Sequence, residues 1–289
     1  MSQTTTFTEA EIRAMVSQIL GDLSAGSPKA SSAPAALSAT AIESTTPDQL
    51  FTVPNPVNRA AYMQMMAATP ARIGEWRAGP RPTIRSLLRF RADHAGAMDA
   101  VFTDVDRELI DRLGLFFVQS AAPDKAAYLM DPNIGARFTP EETSQISDHC
   151  KHGAQVQIVV TDGLSSSAVA ANVADVLPAL QQGLKRHNLS TGTDMFVRFG
   201  RVRVMDEVTA ILGCEVTLLL VGERPGLVTN ESLSCYMTYK GYPGIAESSR
   251  TVVSNIYRNG TAPVEAGAYI ADIAKKMIDT KISGMDLKL

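Results

Sequence analysis

Apolar positions change their period three times along the chain. Ile12, Met15, Val16, Ile19, Leu20 and Leu23 recur at i, i+3, i+4 spacing, the stripe of an amphipathic helix. Thr8-Glu9-Ala10-Glu11 opens that stripe as a capping box, and Phe7 and Ile12 have the spacing of a hydrophobic staple. The period then disappears. Ser24 to Pro56 is rich in Ser, Ala, Thr and Pro, and such a composition buries too little apolar surface to offset its ordering entropy. Residues 1–23 are expected to form an amphipathic helix and residues 24–56 a flexible linker. A helix on such a leash either folds back onto the body or docks on a partner surface.

Residues 57–152 read as a mainly helical domain. Pro82 is suited to a first helical position, with Ile84, Leu87, Leu88 and Ala92 facing inward. Arg81, Arg85 and Arg89 recur every fourth residue and form a cationic row. Such a row is either a solvated, salt-bridged face or a patch for an anionic partner or phosphate. Asp104 to Leu113 reads as a further helix and Phe116 to Val118 as a short strand. Ala126 to Met130 reads as a second strand before the Asp131-Pro132 turn.

The pattern changes again at Gln155. Val156 to Val160 and Val216 to Val221 are unbroken apolar runs, with further strands expected at Phe196-Val197 and at Ser234 to Tyr239. Helical segments run from Ser165 to about His187, near Asp206 to Leu212, and from about Pro263 to Lys281. This alternation predicts an α/β fold for residues 153–289, a flavodoxin- or Rossmann-like, mostly parallel sheet covered on both faces. Ligands of such sheets bind beyond the carboxyl ends of the strands. That rule points to Asp162–Ser167 and to the loop Val221-Gly222-Glu223-Arg224-Pro225-Gly226.

Composition narrows the setting. The 289 residues carry a formal charge of −3, which gives no global attraction to nucleic acid or anionic membrane. No apolar run is long enough to span a bilayer, and no secretory signal opens the chain. Cys150, Cys214 and Cys235 are an odd set of three without motif spacing, which suits a reducing, cytoplasmic compartment better than a disulfide framework.

The turn Thr161-Asp162-Gly163-Leu164-Ser165-Ser166-Ser167 has one glycine where a dinucleotide fingerprint needs three. Neither a phosphate-binding P-loop nor a G-x-S-x-G nucleophile elbow occurs, and Ser165–Ser167 are best suited to capping a helix. His149 and His152 have H-x-x-H spacing, but no second pair of ligands accompanies them, so a solvated junction accounts for them better than a metal site. Glu223 is the one acid at a strand end. It either pairs with Arg224 or binds the amides and hydroxyls of a large ligand.

Several of these stretches together resemble the small subunit of ethanolamine ammonia-lyase. The resemblance is carried by Ala78-Gly79-Pro80-Arg81-Pro82, Leu87-Leu88-Arg89-Phe90, Ala92-Asp93-His94 and Val159-Val160-Thr161-Asp162-Gly163-Leu164-Ser165. It continues through Phe196-Val197-Arg198-Phe199-Gly200-Arg201-Val202, Leu219-Leu220-Val221-Gly222-Glu223-Arg224-Pro225-Gly226-Leu227 and Glu231-Ser232-Leu233-Ser234-Cys235-Tyr236. These motifs run in collinear order from roughly Asn55 to the C-terminus.

The resemblance implies an adenosylcobalamin enzyme that converts ethanolamine to acetaldehyde and ammonia by radical chemistry. The large subunit, a TIM-barrel protein, would hold the substrate and carry the chemistry, with cobalamin between the two subunits. It implies cofactor contacts at Val202, Glu223 and Val252, and no catalytic residue or cobalt ligand from this chain. A cysteine can stand at the last of these positions in relatives, a difference that a backbone contact would survive and a thiol contact would not. The D-x-H-x-x-G motif that supplies a cobalt-ligating histidine in some B12 enzymes is absent. The helix at residues 1–23 would, by the same resemblance, address the enzyme to the shell proteins of a bacterial microcompartment. The competing readings are a self-sufficient small-molecule enzyme and a non-enzymatic adaptor that docks a partner through the N-terminal helix and the arginine row. No acid/base constellation supports the first, and an adaptor would not need the strand-end loops.

Overall fold

Asn58 accepts from the Ala61 amide and so starts helix α1 (Arg59–Ala68) in the computed structural model, which describes residues 50–288. The helix expected at residues 1–23 lies outside the described residues, as does most of the linker. A two-residue turn at Gly79-Pro80, with Gly79 at φ 63°, joins the short strands β1 (Arg77–Ala78) and β2 (Arg81–Pro82). That hairpin takes Pro82 out of the following helix. Thr83 is the cap instead, accepting from the Ser86 amide, and α2 runs Ile84–Phe102.

The inward face of α2 also differs from expectation. Ser86 and Ala100 are buried, whereas Ile84 is 78% and Leu88 61% exposed. Periodicity finds the apolar stripe of a helix but not which surface covers it.

Next come α3 (Arg107–Arg112) and β3 (Phe116–Gln119). The segment expected as a second strand is instead a helix, α4 (Lys125–Met130). Asp124 accepts from the Ala127 amide there, and this local cap outweighs the weak strand preference of Ala126 to Met130. A full capping box between Thr139 and Glu142 opens α5 (Pro140–His149).

The sheet is completed by β4 (Val156–Thr161), β5 (Met195–Arg198), β6 (Val216–Gly222), β7 (Leu233–Tyr239) and β8 (Thr251–Ile256). The intervening helices are α6 (Ser166–Arg186), α7 (Val204–Leu212) and, last, α8 (Pro263–Thr280). Strand β8 was not expected. Its exposed and buried residues mix irregularly, so it lacks the continuous apolar run that marks β4 and β6.

The six-stranded order is β3-β5-β4-β6-β7-β8. The first four strands pair in parallel and the last two antiparallel, giving the mostly parallel α/β sheet that the sequence implied. One sheet thus draws strands from both sides of residue 153.

Alternation along the strands divides the core in two. Ile158, Val160, Leu218, Leu220, Cys235 and Met237 pack beneath α3, α6 and α8. Val159, Val197, Leu219 and Val221 pack on the other face with residues of α5 and α7.

Candidate functional site

The chain leaves β4 through α6 toward β5, then crosses back through α7 to β6 on the other side of β4. This reversal is where an open α/β sheet normally parts to admit a ligand, but here the two strand-end loops close on each other. The Leu164 amide donates to Gly222 O at 2.9 Å. A Cβ on Gly163 would meet Gly222 O at 2.3 Å, and one on Gly222 would meet Ser165 O at 2.1 Å.

Ser165 accepts from the Ala168 amide as the α6 cap and donates to Asn230 O at 2.5 Å. Asp162 is buried and accepts from the Phe199 amide at 2.8 Å. Its burial pushes the carboxyl pKa up to about 6, against the lowering effect of Lys125 at 3.7 Å. The Tyr128 hydroxyl lies close to two loop carbonyls, Gly163 O at 2.6 Å and Gly200 O at 3.1 Å. The Asp162–Ser167 loop is therefore a structural clasp.

Beyond the clasp, the sheet face on the α7 side continues over the antiparallel strands β7 and β8. Glu223 follows β6 directly, and its carboxylate Oε1 accepts from the Tyr236 hydroxyl at 3.1 Å. Tyr236 pairs across β7–β8 with Val252, which is 42% exposed. Val202 lies in the turn before α7, and Val202 and Tyr236 both pack against the same buried cluster. Glu223 and Val252 thus both meet Tyr236, while Val202 lies against the buried cluster on the same face of the sheet. Burial, followed by the Glu223 charge, pushes the Tyr236 hydroxyl up to about 12, so it remains a hydrogen-bond donor at neutral pH.

The strip ends in an open cavity of about 370 Å³ whose lining includes Glu223, Thr229, Ser232, Ser234, Ser254 and Asn255. The β7–β8 register breaks beside it. Leu233 pairs with Ile256 and Cys235 with Val253, so β8 carries an extra residue opposite Ser234. Asn255 takes the left-handed conformation at φ 57° within this bulge.

A buried ion pair holds the two sides of the strip in place. The Arg250 guanidinium donates to Asp206 Oδ1 at 2.9 Å and Oδ2 at 2.7 Å, and both side chains are 2% exposed. Glu247 bridges Arg250 at 2.7 Å and Arg203 at 3.1 Å. Hydrogen bonds from Arg250, then Arg203, lower the Glu247 carboxyl pKa, partly offset by its burial. The network joins the Val202 turn and α7 to the segment that enters β8 and carries Val252.

Other sequence candidates have local partners. His149 Nδ1 donates to Gln145 O at 2.9 Å and His152 Nε2 to Ser147 O at 2.8 Å. Among the described residues no three His, Cys, Asp or Glu converge as a metal-holding group, and no helix is long and apolar enough to cross a membrane. Arg81 lies on β2 rather than on the helical row, and Arg89 pairs with Asp93 at 2.9 Å. Arg201 stacks over the Tyr128 ring at 4.2 Å, and Arg203 donates to Glu247 at 3.1 Å.

Comparison with known proteins adds a family to this geometry. The family model described as "Ethanolamine ammonia-lyase light chain (EutC)" matches residues 59–288, from α1 to the end of the described chain. The chain belongs to the ethanolamine ammonia-lyase light chain family.

Among curated light chains, the protein from Clostridium tetani is 52% identical over 237 residues, covering 82% of this chain and 80% of its own. The one from Fusobacterium nucleatum is 47% identical over 241 residues, covering 83% and 82%. A Listeria monocytogenes relative is 44% identical over 293 residues, covering 97% and 99%. Each of these relatives is named an ethanolamine ammonia-lyase small subunit.

In this light chain, Tyr236 and the bulge at Ser254-Asn255 escaped the sequence reading as site residues. A signal for Tyr236 existed. Along Leu233–Tyr239 it is a large amphipathic residue on the face shared with Ser234 and Thr238. The bulge left no comparable trace in the sequence.

Proposed function

We propose that this chain is the small subunit of an adenosylcobalamin-dependent ethanolamine ammonia-lyase and forms one wall of its cobalamin site. The observation that carries this reading is the placement of Glu223 and Val252 beside Tyr236, next to a polar cavity, with Val202 on the same face of the sheet. Cobalamin is a broad ligand with an apolar corrin rimmed by carboxamides, so it needs an apolar platform with a few polar anchors.

The residues present fit such a group. Val202, Val252 and the Tyr236 ring are the apolar part. Glu223 retains acceptor capacity beyond its bond to Tyr236, because a carboxylate has about four lone-pair sites. Ser234 Oγ is buried without a hydrogen-bond partner. Nothing in the strip resembles a phosphate cradle.

When bound, the cofactor supplies the radical used to convert ethanolamine to acetaldehyde and ammonia. In this chain, Glu223 accepts hydrogen bonds from amide groups, Tyr236 holds its carboxylate in place, and the Arg250–Asp206 pair sets the spacing of the valines. No catalytic acid, base or cobalt ligand is assigned to the chain. Substrate and chemistry belong to the large subunit, and the chain is inactive alone. Val252 acts through backbone and apolar contact, which does not require a thiol.

The large subunit also accounts for the apolar surface of α2. Ile84, Leu88 and Phe102 are 78%, 61% and 56% exposed, and such a face on a chain of this family suits a permanent hetero-oligomer interface. Residues 1–23 are the address for microcompartment shell proteins, which would put the complex in the cytoplasm inside a bacterial shell. Neither a nucleic acid nor a membrane is a partner.

The test is to purify the chain with and without the large subunit and to measure cobalamin binding and ethanolamine turnover. Turnover is expected only with both chains present. Turnover by the chain alone would overturn the division of labour.

A further inference from the structure

The Ser234 hydroxyl takes no part in the Glu223–Tyr236 contact at the centre of the proposed wall. Ser234 is 0% exposed, and its hydroxyl has no hydrogen-bond partner. A buried hydroxyl without a partner is costly, and native folds rarely tolerate one without a reason. Its neighbours on the same strand face are satisfied: the Tyr236 hydroxyl bonds Glu223, and Thr238 Oγ1 accepts from Arg250 at 3.3 Å.

Two further features occur at the same place. Ser234 belongs to the wall of the 370 Å³ cavity. The strand opposite it bulges, so that Ser254 and Asn255 stand where one residue would face Ser234, and Asn255 accepts a left-handed backbone to do so. Bulges beside functional sites commonly re-aim side chains. Ser254 and Asn255 are exposed, and they line the cavity with Ser234.

Ser234, Ser254 and Asn255 make this corner of the cavity two-sided in hydrogen bonding, with Glu223 and Arg224 lining the same cavity. A serine hydroxyl can donate and accept, and an asparagine amide can do both. A carboxamide is the complementary ligand group, since it also donates and accepts and can satisfy Ser234 without burying a charge. Resting on the proposed cobalamin site, we infer that Ser234 and Asn255 form a hydrogen-bonding subsite for one carboxamide arm of the corrin, which Asn255 meets at the surface and Ser234 meets by turning its buried hydroxyl out toward the cavity. The apolar strip at Tyr236 and Val252 carries the ring, and the bulge receives the arm.

The test uses the complex of this chain with the large subunit, titrated with cobalamin and with its mono-acid derivatives. Each derivative has one corrin carboxamide replaced by a carboxylate. Ser234→Ala is expected to raise the Kd for cobalamin about five- to twentyfold, the effect of losing one buried hydrogen bond. One mono-acid should lose a similar factor in the wild type and nothing further in Ser234→Ala, because the two changes remove the same contact. Asn255→Ala, at an exposed position, should show the same non-additivity even if Ser234→Ala folds poorly.

Additive losses for every derivative in both variants would overturn the subsite, as would an unchanged Kd in both. If Glu223→Ala weakens cobalamin binding while Ser234→Ala and Asn255→Ala do not, the subsite fails and the cobalamin wall stands. If none of the three changes binding, both readings fail.

Discussion

Tyr236 donates its hydroxyl to Glu223 Oε1 at 3.1 Å across the β6–β7 pair, and this bond orients the one carboxylate at the end of β6. Tyr236→Phe removes the donor and keeps the ring that packs with the Val202 cluster. In the complex it should weaken cobalamin binding about three- to tenfold, as for loss of one hydrogen bond, with little change in melting temperature. Glu223→Ala should cost more, about tenfold or beyond, because a charged acceptor is lost. Absorbance titration of the two variants side by side checks the order.

The Arg250–Asp206 pair predicts a stability effect separate from binding. Arg250→Met leaves Asp206 buried beside an apolar side chain, and loss of one member of a buried pair costs about 3–5 kcal/mol. Adding Asp206→Leu should restore much of the loss, since the uncompensated charge is then gone. Urea unfolding of the single and double variants measures both effects.

Asp162 makes stability depend on pH in a stated direction. Its folded pKa of about 6 lies above the ordinary value of 3.8, so the folded state holds the proton more tightly than the unfolded state. The contribution of this group is most favourable below 3.8 and declines as pH rises through that window to about 6. The full decline is about 3 kcal/mol, at about 1.4 kcal/mol per pH unit. Asp162→Asn can keep the bond from the Phe199 amide, and it should flatten this part of the profile. Thermal unfolding from pH 4 to pH 7, with both proteins in the same buffers, tests it.

The exposed face of α2 predicts a partner phenotype. Leu88 is 61% exposed, so Leu88→Glu should leave the melting temperature of the isolated chain nearly unchanged. Burial of that charge at an interface should weaken association with the large subunit by about tenfold or more. Analytical ultracentrifugation of the mixed chains reads the change.

Much of the sheet could be read in the sequence because β4 and β6 are buried on both faces and therefore continuously apolar. Helix α6 was legible for a local reason, the Ser165 cap followed by an apolar period. The misread parts depend on distant contacts. Ile84 and Leu88 form a proper helical stripe, yet no described element covers them. Strand β8 has no pattern of its own and exists through its pairing with β7. The site divides the same way. Glu223 stood out as an acid at a strand end, and resemblance supplied Val202 and Val252. Tyr236, which links Glu223 to Val252, becomes evident only once β7 and β8 are in register.

The central claim is that Val202, Glu223 and Val252 form one wall of a cobalamin site shared with the large subunit. The most direct measurement is the Kd for cobalamin of the complex carrying Val202→Arg or Glu223→Ala, against the wild type. A clear rise in Kd for both variants, with the two subunits still associated, is the predicted result. Wild-type affinity in both would contradict the account.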